Sequence, residues 1–280
     1  MDEAHRDPRQ PPPRAADTLR VLQITDTHLY AESEARLQGV VTETALADVL
    51  ALARARCGPV DLVAATGDLV HDGSEAGYAR LRAHLATLGA PVHAVPGNHD
   101  DHGRLEALAG DGPPSFACCG EARIGPWLLV FLDSAVNGED WGHLRAEELA
   151  RLDAALAGHT GPAGVFLHHP ALAVGSAWID AIRLREPGPF LELLRAHRRR
   201  VRFVACGHVH QRFEAVRDGI LHLTTPATCI QFLPRSERFA VDRSAASGLR
   251  WLDLLPDGRL RTGVLRLPRA APAAVAPAAG

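Results

Sequence analysis

The sequence predicts an α/β protein, and two features of its 280 residues indicate that class. Between residues 19 and 95, apolar runs of strand length alternate with segments whose apolar residues recur at helical spacing, which is typical of a largely parallel, buried sheet. Beyond residue 210, short apolar runs follow one another through Asp-Gly turns, which favours hairpins in a second, more antiparallel sheet. The content of apolar (46%) and charged (22%) residues is that of an ordinary globular domain with a substantial core.

The first part of the chain is predicted to hold three strands and two helices. Val, Ile and Leu are frequent in the strands, whereas Ala and Leu recur every three or four positions in the helices. In chain order these elements are a strand at residues 19–25, a helix at 42–56, a strand at 60–66, a helix at 74–88 and a strand at 92–95.

The second part of the chain is predicted to contain more strands than helices. The Pro-rich, charged residues 1–17 and the Ala- and Pro-rich residues 268–280 are expected to be disordered tails, so that residues 18–267 form the single domain. The predicted elements are strands at 115–119 and 127–133, a helix at 146–156, a strand at 164–167, a helix at 189–197, and strands at 201–206, 213–216, 220–225, 250–255 and 260–267.

Composition argues against several classes of protein. No apolar run approaches the roughly 18–20 residues that cross a bilayer, and the polar N-terminus lacks a secretory pattern, so no membrane association is expected. The five cysteines are odd in number and have no metal-site spacing, which favours reduced thiols and a cytoplasmic location. The formal charge of −3 gives no basic footprint for nucleic acid. The Arg-rich run at residues 195–202 is better explained as the end of a helix.

Short clusters of Asp, His and Asn follow five of the predicted strands. In an open α/β sheet, the loops at the carboxyl ends of the strands carry the chemistry. Each cluster alone is more often a turn or a helix cap, but their joint occurrence at five strand ends predicts one metal site. The clusters are Asp26-Thr27-His28, Gly67-Asp68, Gly97-Asn98-His99-Asp100, His168-His169-Pro170 and Gly207-His208-Val209-His210.

These clusters contain seven groups suited to metal binding, namely two carboxylates, one amide oxygen and four imidazoles. A single tetrahedral zinc uses only about four ligands. Seven groups instead predict two metals about 3.5–4 Å apart that share a carboxylate, a geometry that serves displacement at phosphorus. Nitrogen and oxygen ligands without thiolate favour manganese, iron or zinc. The seven residues are Asp26, His28, Asp68, Asn98, His168, His208 and His210.

The order of these motifs resembles that of the calcineurin-like metallophosphoesterase superfamily, and the resemblance covers nearly the whole chain between the tails. It implies a four-layer α-β-β-α sandwich of two mixed sheets flanked by helices. It also implies two divalent or mixed-valence metal ions, with iron and manganese favoured and zinc as the alternative. The implied ligands are Asp26, His28, Asp68 and His210 for the first metal, and Asp68, Asn98, His168 and His208 for the second, so that Asp68 is shared.

The same resemblance implies the roles of the remaining site residues. Its His-x-Pro pattern favours His168 over His169 as the ligand. Asn98 and His99 would contact the substrate, and His99 would protonate the leaving oxygen after a hydroxide shared by the two cations attacks phosphorus. Spacing alone shows only that His99 is adjacent to a predicted ligand, and a role in orienting that ligand is the alternative.

Three further stretches resemble the bacterial class III cyclic-nucleotide phosphodiesterases, which implies hydrolysis of 3′,5′-cyclic AMP to 5′-AMP. One residue departs from the pattern, because Trp141 stands where some relatives have a His near the substrate phosphate. The stretches are Leu132-Asp133-Ser134 followed by Gly138 and Gly142, residues 175–180, and residues 225–232 continued by 248–251.

Other functions are compatible with parts of the pattern. The same site could act on glycerophosphodiesters, 2′,3′-cyclic nucleotides or aryl phosphodiesters, because the pocket walls decide the substrate and the sequence shows them poorly. A binding scaffold without metal chemistry has no reason to keep all seven ligands together with His99. The expected partner is a small phosphodiester, not nucleic acid or a membrane, and a homodimer is left open.

Overall fold

The computed structural model describes residues 11–110 and 112–268, and within them the chain forms two six-stranded sheets, a two-stranded ladder and six helices. In chain order the strands are β1 (Leu19–Ile24), β2 (Arg36–Leu37), β3 (Val40–Val41), β4 (Leu62–Thr66), β5 (Val92–Val95), β6 (Phe116–Cys118), β7 (Gly120–Ile124), β8 (Trp127–Phe131), β9 (Ala163–Leu167), β10 (Val201–Cys206), β11 (Phe213–Arg217), β12 (Ile220–Thr224), β13 (Gly248–Leu254) and β14 (Leu260–Arg266). The helices are α1 (Thr42–Cys57), α2 (Glu75–Ala86), α3 (His102–Ala107), α4 (Ala146–Ala157), α5 (Ala177–Asp180) and α6 (Gly188–Ala196).

Both large sheets are mixed. The first has the strand order β14-β13-β1-β4-β5-β6, in which β1, β4, β5 and β6 are parallel and the hairpin β13–β14 adds antiparallel beside β1. The second has the order β11-β12-β10-β9-β8-β7, with four parallel strands at its centre and an antiparallel strand at each edge. The short strands β2 and β3 pair only with each other.

Three apolar clusters separate four layers of structure. On the outer face of the first sheet, Leu22 and Ile24 of β1 belong to the cluster that includes α1 and α2. Val21 points to the opposite face, where it belongs to the cluster between the sheets with Phe166 and Phe203, because side chains alternate along a strand. The far face of the second sheet packs against α4 and α6. The predicted α-β-β-α sandwich is confirmed.

Most predicted helices and strands agree with the observed ones to within two residues. Side-chain caps account for the starts of two helices. The Gly77 N–H donates to Ser74 Oγ at 3.2 Å before α2, and the Arg104 N–H donates to Asp101 Oδ1 at 2.9 Å before α3. β2, β3 and α5 were not predicted, because elements of two to four residues are too short to show a hydrophobic period.

The predicted strand at residues 115–119 corresponds to β6, but β7, which follows almost at once and belongs to the other sheet, was not predicted. β6 ends at Cys118 in the first sheet, and β7 begins at Gly120 in the second. Cys119 and Gly120 have φ angles of 57° and 83°, in the left-handed region, so the chain turns out of the extended conformation between the sheets. A single Gly where two short strands meet is a weak sequence signal for a change of sheet.

The expectation that all late strands form one second sheet is wrong in part. Only β11 and β12 join the second sheet, whereas β13 and β14 return to the first. The returning hairpin is fixed beside β1 by Arg20 and Asp253, which form a buried ion pair with an Nε–Oδ1 distance of 2.7 Å. Every residue of β13 is buried, as in a strand inside a sheet. Hairpin alternation alone does not encode which sheet edge receives a strand.

The predicted tails are only partly within the described residues. Residues 1–10 and 269–280 lie outside them, so the disorder of the tails stays a prediction. In the described part, Arg14 forms an ion pair with Asp61, with an Nη1–Oδ2 distance of 2.9 Å, so the segment before β1 contacts the domain. The five cysteines are all described and are free thiols. Every helix within residues 11–110 and 112–268 is too short or too polar to span a membrane.

Candidate metal centre

The loops that carry the five sequence clusters meet at one end of the two sheets. They follow β1, β4, β5, β9 and β10, whose carboxyl ends lie together because these strands are parallel within each sheet. Backbone hydrogen bonds join the loops to one another, from the Asp26 N–H to the Gly67 carbonyl at 3.0 Å, and from the Gly207 N–H to the His168 carbonyl at 3.1 Å. The structure therefore brings together residues that are up to 184 positions apart, from Asp26 to His210.

Five of the seven predicted ligands have a left-handed backbone. This region is uncommon for residues other than glycine and costs of order 1–3 kcal/mol where the side chain is strained, although Asp, Asn and His tolerate it best. Such conformations cluster at functional sites, where the surrounding structure holds them. The φ angles are 52° at Asp26, 45° at His28, 52° at Asp68, 70° at His208 and 46° at His210.

A first group of buried ligand atoms comes from Asp26, His28, Asp68 and His210. His28 Nε2 lies 3.2 Å from His210 Nε2 and 3.6 Å from Asp68 Oδ2. His210 Nε2 lies 3.3 Å from Asp26 Oδ1. Four ligands placed tetrahedrally at about 2.0–2.2 Å from one ion are about 3.4 Å apart. The spacing of these atoms therefore fits one cation.

The second predicted ligand set comprises Asp68, Asn98, His168 and His208. His168 Nε2 lies 3.4 Å from Asp68 Oδ1, so the two oxygens of Asp68 face the two groups. Asn98 Oδ1, His168 Nε2 and His208 Nε2 are buried and have no hydrogen-bond partner among the described residues. Buried polar atoms are paired in nearly all native structures. Three unpaired acceptor atoms from three different loops are what a second cation site requires.

The outward nitrogens of the histidines fix which nitrogen faces the centre. His168 Nδ1 lies 2.8 Å from the Thr66 carbonyl, and His210 Nδ1 lies 2.9 Å from the Ile230 carbonyl. A carbonyl only accepts, so Nδ1–H donates in both cases and Nε2 keeps its lone pair for a ligand. His28 differs, because its Nδ1 lies 3.0 Å from His71 Nδ1.

Burial and the local charges bias the protonation of the site. Burial raises the pKa of the Asp68 carboxyl, but the neighbouring His168 and His28 outweigh it and hold that pKa well below its usual value. Burial lowers the pKa of His168, but Asp68 raises it to about 9. Burial and the nearby His168 lower the pKa of His208 to about 3, and burial holds that of His28 well below its usual value. Ionised carboxylates beside neutral imidazoles are the form that binds a cation, and one proton on His168 competes with it.

Glycines allow the loops to approach this closely. A Cβ added at Gly97 would overlap Asp68, and one added at Gly67 would overlap His168. The Asp100 carboxylate ties the same loops together, because it accepts hydrogen bonds from the backbone N–H groups of Gly97 and Leu69, at 2.8 and 3.1 Å. Asp100 stands in the sequence cluster at residues 97–100, but nothing in the sequence indicates this structural role.

His99 lies at the edge of the centre, outside both groups. Its backbone N–H donates to Asp68 Oδ1 at 3.0 Å. Its half-buried ring is 5.1 Å from that of His28 and lines an open cleft of about 560 Å³, together with His71, His102 and Asn137. A cleft of that volume suits a small-molecule ligand. The position of His99 fits a group that contacts substrate.

His169 is placed beside the second group. One ring nitrogen from each of His168, His169 and His208 lies within 4.8 Å of the others. His169 Nδ1 is 3.0 Å from Ser134 Oγ, and its Nε2 is buried without a partner in the described part of the chain. The structure thus puts two histidines near this group, and the preference for His168, which faces Asp68, stays a prediction.

Trp141 is held at the rim of a neighbouring groove. The Arg185 guanidinium lies 3.7 Å above its ring, and the indole Nε1–H donates to Glu139 Oε2 at 2.5 Å. The groove is also lined by His102 of α3 and by Asp133 and other residues of the loop after β8. The cation–π contact fixes Trp141 as part of the wall.

Fold and site together define the class of metallophosphoesterases. The sequence model of the calcineurin-like phosphoesterase family matches residues 19–212, and the chain belongs to this family. Membership of this family implies divalent metal ions, and the groups described above are the candidate places for them.

Similar proteins extend over nearly the whole chain. A Pseudomonas aeruginosa protein named 3′,5′-cyclic adenosine monophosphate phosphodiesterase CpdA is 37% identical over 257 residues, which are 91% of this chain and 92% of that protein. The Escherichia coli K12 protein of the same name is 38% identical over 89% of this chain and 90% of its own length.

Solved structures agree with the fold. A dimetal phosphatase from Danio rerio has a TM-score of 0.59 at 16% identity, with 87% of this chain and 98% of that one covered. A purple acid phosphatase from yellow lupin seeds has a TM-score of 0.62 at 14% identity, with 92% of this chain and 53% of that one covered. At these identities the likeness concerns the fold alone.

Proposed function

We propose that this protein is a dinuclear metal-dependent phosphodiesterase that hydrolyses 3′,5′-cyclic AMP to 5′-AMP. The observation that carries the proposal is the set of three buried, unpaired atoms, Asn98 Oδ1, His168 Nε2 and His208 Nε2, beside a first group that shares Asp68. The names of the relatives, at 37–38% identity over nine-tenths of the chain, support the cyclic nucleotide as substrate.

The seven side chains divide into two ligand sets in this proposal. Asp26, His28 and His210 would hold the first ion, Asn98, His168 and His208 would hold the second, and Asp68 would serve as a ligand of both. When bound, the two ions make a hydroxide nucleophile available near neutral pH and neutralise charge on the phosphate. Asp68 would suit both ions, because its buried carboxylate directs one oxygen towards each group.

His99 acts as the general acid, and Asn98 and His99 contact the phosphate. The ring of His99 lines the cleft, and its backbone N–H is held by Asp68. The side chain can therefore contact a leaving oxygen in the cleft without a movement of the backbone. Opening the cyclic diester creates an alkoxide at the ribose 3′ position, which needs a proton. An imidazole supplies it near neutral pH.

The donor set favours iron or manganese, with zinc as the alternative. It contains nitrogen and oxygen atoms and no thiolate. The Cys229 sulfur lies within 4.8 Å of ring nitrogens of His28 and His210, but its S–H donates to the Asp26 carbonyl at 3.1 Å. The cytoplasmic location stays a prediction, and a homodimer is left open.

A substrate panel tests the proposal. Metal-free protein is reloaded with manganese and assayed with cyclic AMP, cyclic GMP, a 2′,3′-cyclic nucleotide, a glycerophosphodiester and bis(p-nitrophenyl) phosphate. We expect the highest kcat/KM with cyclic AMP. A higher kcat/KM for the glycerophosphodiester or the 2′,3′-cyclic nucleotide would favour a phosphodiesterase of broader specificity over one for cyclic AMP. Hydrolysis of none of them would end the proposal of a phosphodiesterase.

A further inference from the structure

His71 lies between the first ligand group and the candidate acid, and no sequence motif indicated it. Leu29 and Val70 form an isolated parallel bridge between the loops after β1 and β4. The His71 N–H donates to the Leu29 carbonyl at 2.7 Å, which places His71 beside His28. Its ring is half-buried and lines the same cleft as His99.

The contact with His28 requires an acceptor on His71. His28 Nε2 faces the ligand group, 3.6 Å from Asp68 Oδ2, so its lone pair is the one offered to a cation and its ring proton is on Nδ1. That Nδ1–H then donates to His71 Nδ1, 3.0 Å away. The outward nitrogens of His168 and His210 donate instead to backbone carbonyls. His28 is therefore oriented by a side chain.

The contact with His99 is made by the face of the same ring. The rings of His71 and His99 are stacked, with centroids 4.3 Å apart and planes at 22°. Tyr30 lies 4.8 Å from the His71 ring. His71 is thus enclosed by three side chains, and a rotation of its ring would disturb both His28 and His99.

We propose that His71 is a positioning residue that sets the orientation of both the ligand His28 and the acid His99. It accepts a hydrogen bond from His28 with its edge and supports His99 with its face. Packing alone would explain a stacked ring, but it does not require a nitrogen acceptor at 3.0 Å from His28. The inference rests on the proposed function, since it assumes the roles of His28 and His99.

Two substitutions separate the hydrogen bond made by the edge of the His71 ring from the stacking made by its face. His71→Phe keeps a ring against His99 and removes the acceptor. His71→Asn keeps an acceptor, because Asn Oδ1 is as many bonds from Cα as His Nδ1, and removes the ring. His84→Phe is the matched control, because His84 is also half-buried but lies on α2, where it contacts Glu43.

Two readouts are measured on each full-length variant. Manganese titration of the metal-free protein gives the affinity, and the ratio of cyclic AMP to bis(p-nitrophenyl) phosphate hydrolysis at saturating manganese reports on the acid. We expect His71→Phe to weaken manganese binding at the more affected metal site about 10–100-fold. The ratio of cyclic AMP to bis(p-nitrophenyl) phosphate hydrolysis should stay unchanged. We expect His71→Asn to keep the affinity within about threefold and to lower the ratio about tenfold.

The controls make each outcome decisive. If both His71 variants match His84→Phe in affinity and ratio, the proposal is overturned. If His71→Phe does not fold, as judged by circular dichroism, the Asn variant decides, and equal slowing of both substrates by it would overturn the proposal. Wild-type protein that binds no manganese, or hydrolyses neither substrate, would instead refute the proposed function.

Discussion

The two ligand groups of the centre are held in different ways. In the first group, Asp26 accepts hydrogen bonds from the Thr25 hydroxyl at 2.7 Å and from the His208 N–H at 3.0 Å, and His28 contacts His71. In the second group, three of the four ligand atoms have no partner in the described residues. A buried unpaired polar atom costs about 1–3 kcal/mol. The Asp26 carboxylate of the first group is therefore satisfied by the protein, whereas Asn98 Oδ1, His168 Nε2 and His208 Nε2 of the second need an ion to satisfy them.

Removing the Asp68 carboxylate should impair both ligand groups, because they share it. In Asp68→Ala, both sets lose an ionised ligand, and His168 loses the anion 3.4 Å from its Nε2. We expect phosphodiester hydrolysis to fall by at least about 10³-fold and bound metal to fall below one ion per chain. Metal analysis and steady-state kinetics measure both effects.

A surface carboxylate provides the control for that substitution. Asp153 on α4 is exposed and contacts only His197 among the described side chains, so Asp153→Ala should keep activity and metal. Wild-type activity in Asp68→Ala would contradict the bridging role of this residue.

Removing the acid should leave both groups intact. In His99→Ala, we expect metal content to be unchanged and cyclic AMP hydrolysis to slow about 10²-fold or more, because the alkoxide leaves without a proton donor. Nitrophenyl esters have a good leaving group and should slow by less than about tenfold. Equal slowing of the two substrates would assign His99 to orientation of Asn98 instead.

Stability in the absence of metal should distinguish the groups directly. Asp26→Ala leaves the buried His208 N–H without its acceptor, whereas the Thr25 hydroxyl keeps the Thr66 carbonyl, so we expect the free energy of unfolding to fall by about 1–3 kcal/mol. Asn98→Ala removes an unpaired oxygen, and the change should be within about 0.5 kcal/mol. Urea unfolding of chelator-treated protein measures both. An equal loss in the two variants would show that the second group is also organised by the protein.

The sequence was most informative where short-range chemistry and strand ends coincide. Clusters such as Asp26-Thr27-His28 stand directly after apolar strands, and parallel strands bring their carboxyl ends together, so the meeting of five loops could be predicted. The positive φ angles also fit the residue types, since Asp and His are the non-glycine residues that tolerate them.

Features that depend on long-range pairing could not be predicted. The β13–β14 hairpin, like β11–β12, has an Asp-Gly turn, and the contacts that place it beside β1, such as the ion pair of Arg20 with Asp253, join residues 233 positions apart. His71 follows Gly67-Asp68 without any motif of its own, and its partner His28 is 43 positions away. A His follows each of three strands of the first sheet, at residues 28, 71 and 99, and this recurrence is a signal that could have indicated it.

The most direct test is the position of metal in a crystal of the manganese-loaded protein, found by anomalous scattering. We expect two peaks about 3.5–4 Å apart, one on each side of the Asp68 carboxylate, with Asn98 and His208 bound to the peak that His28 does not contact. A single peak, or two peaks that do not share Asp68, would contradict the account.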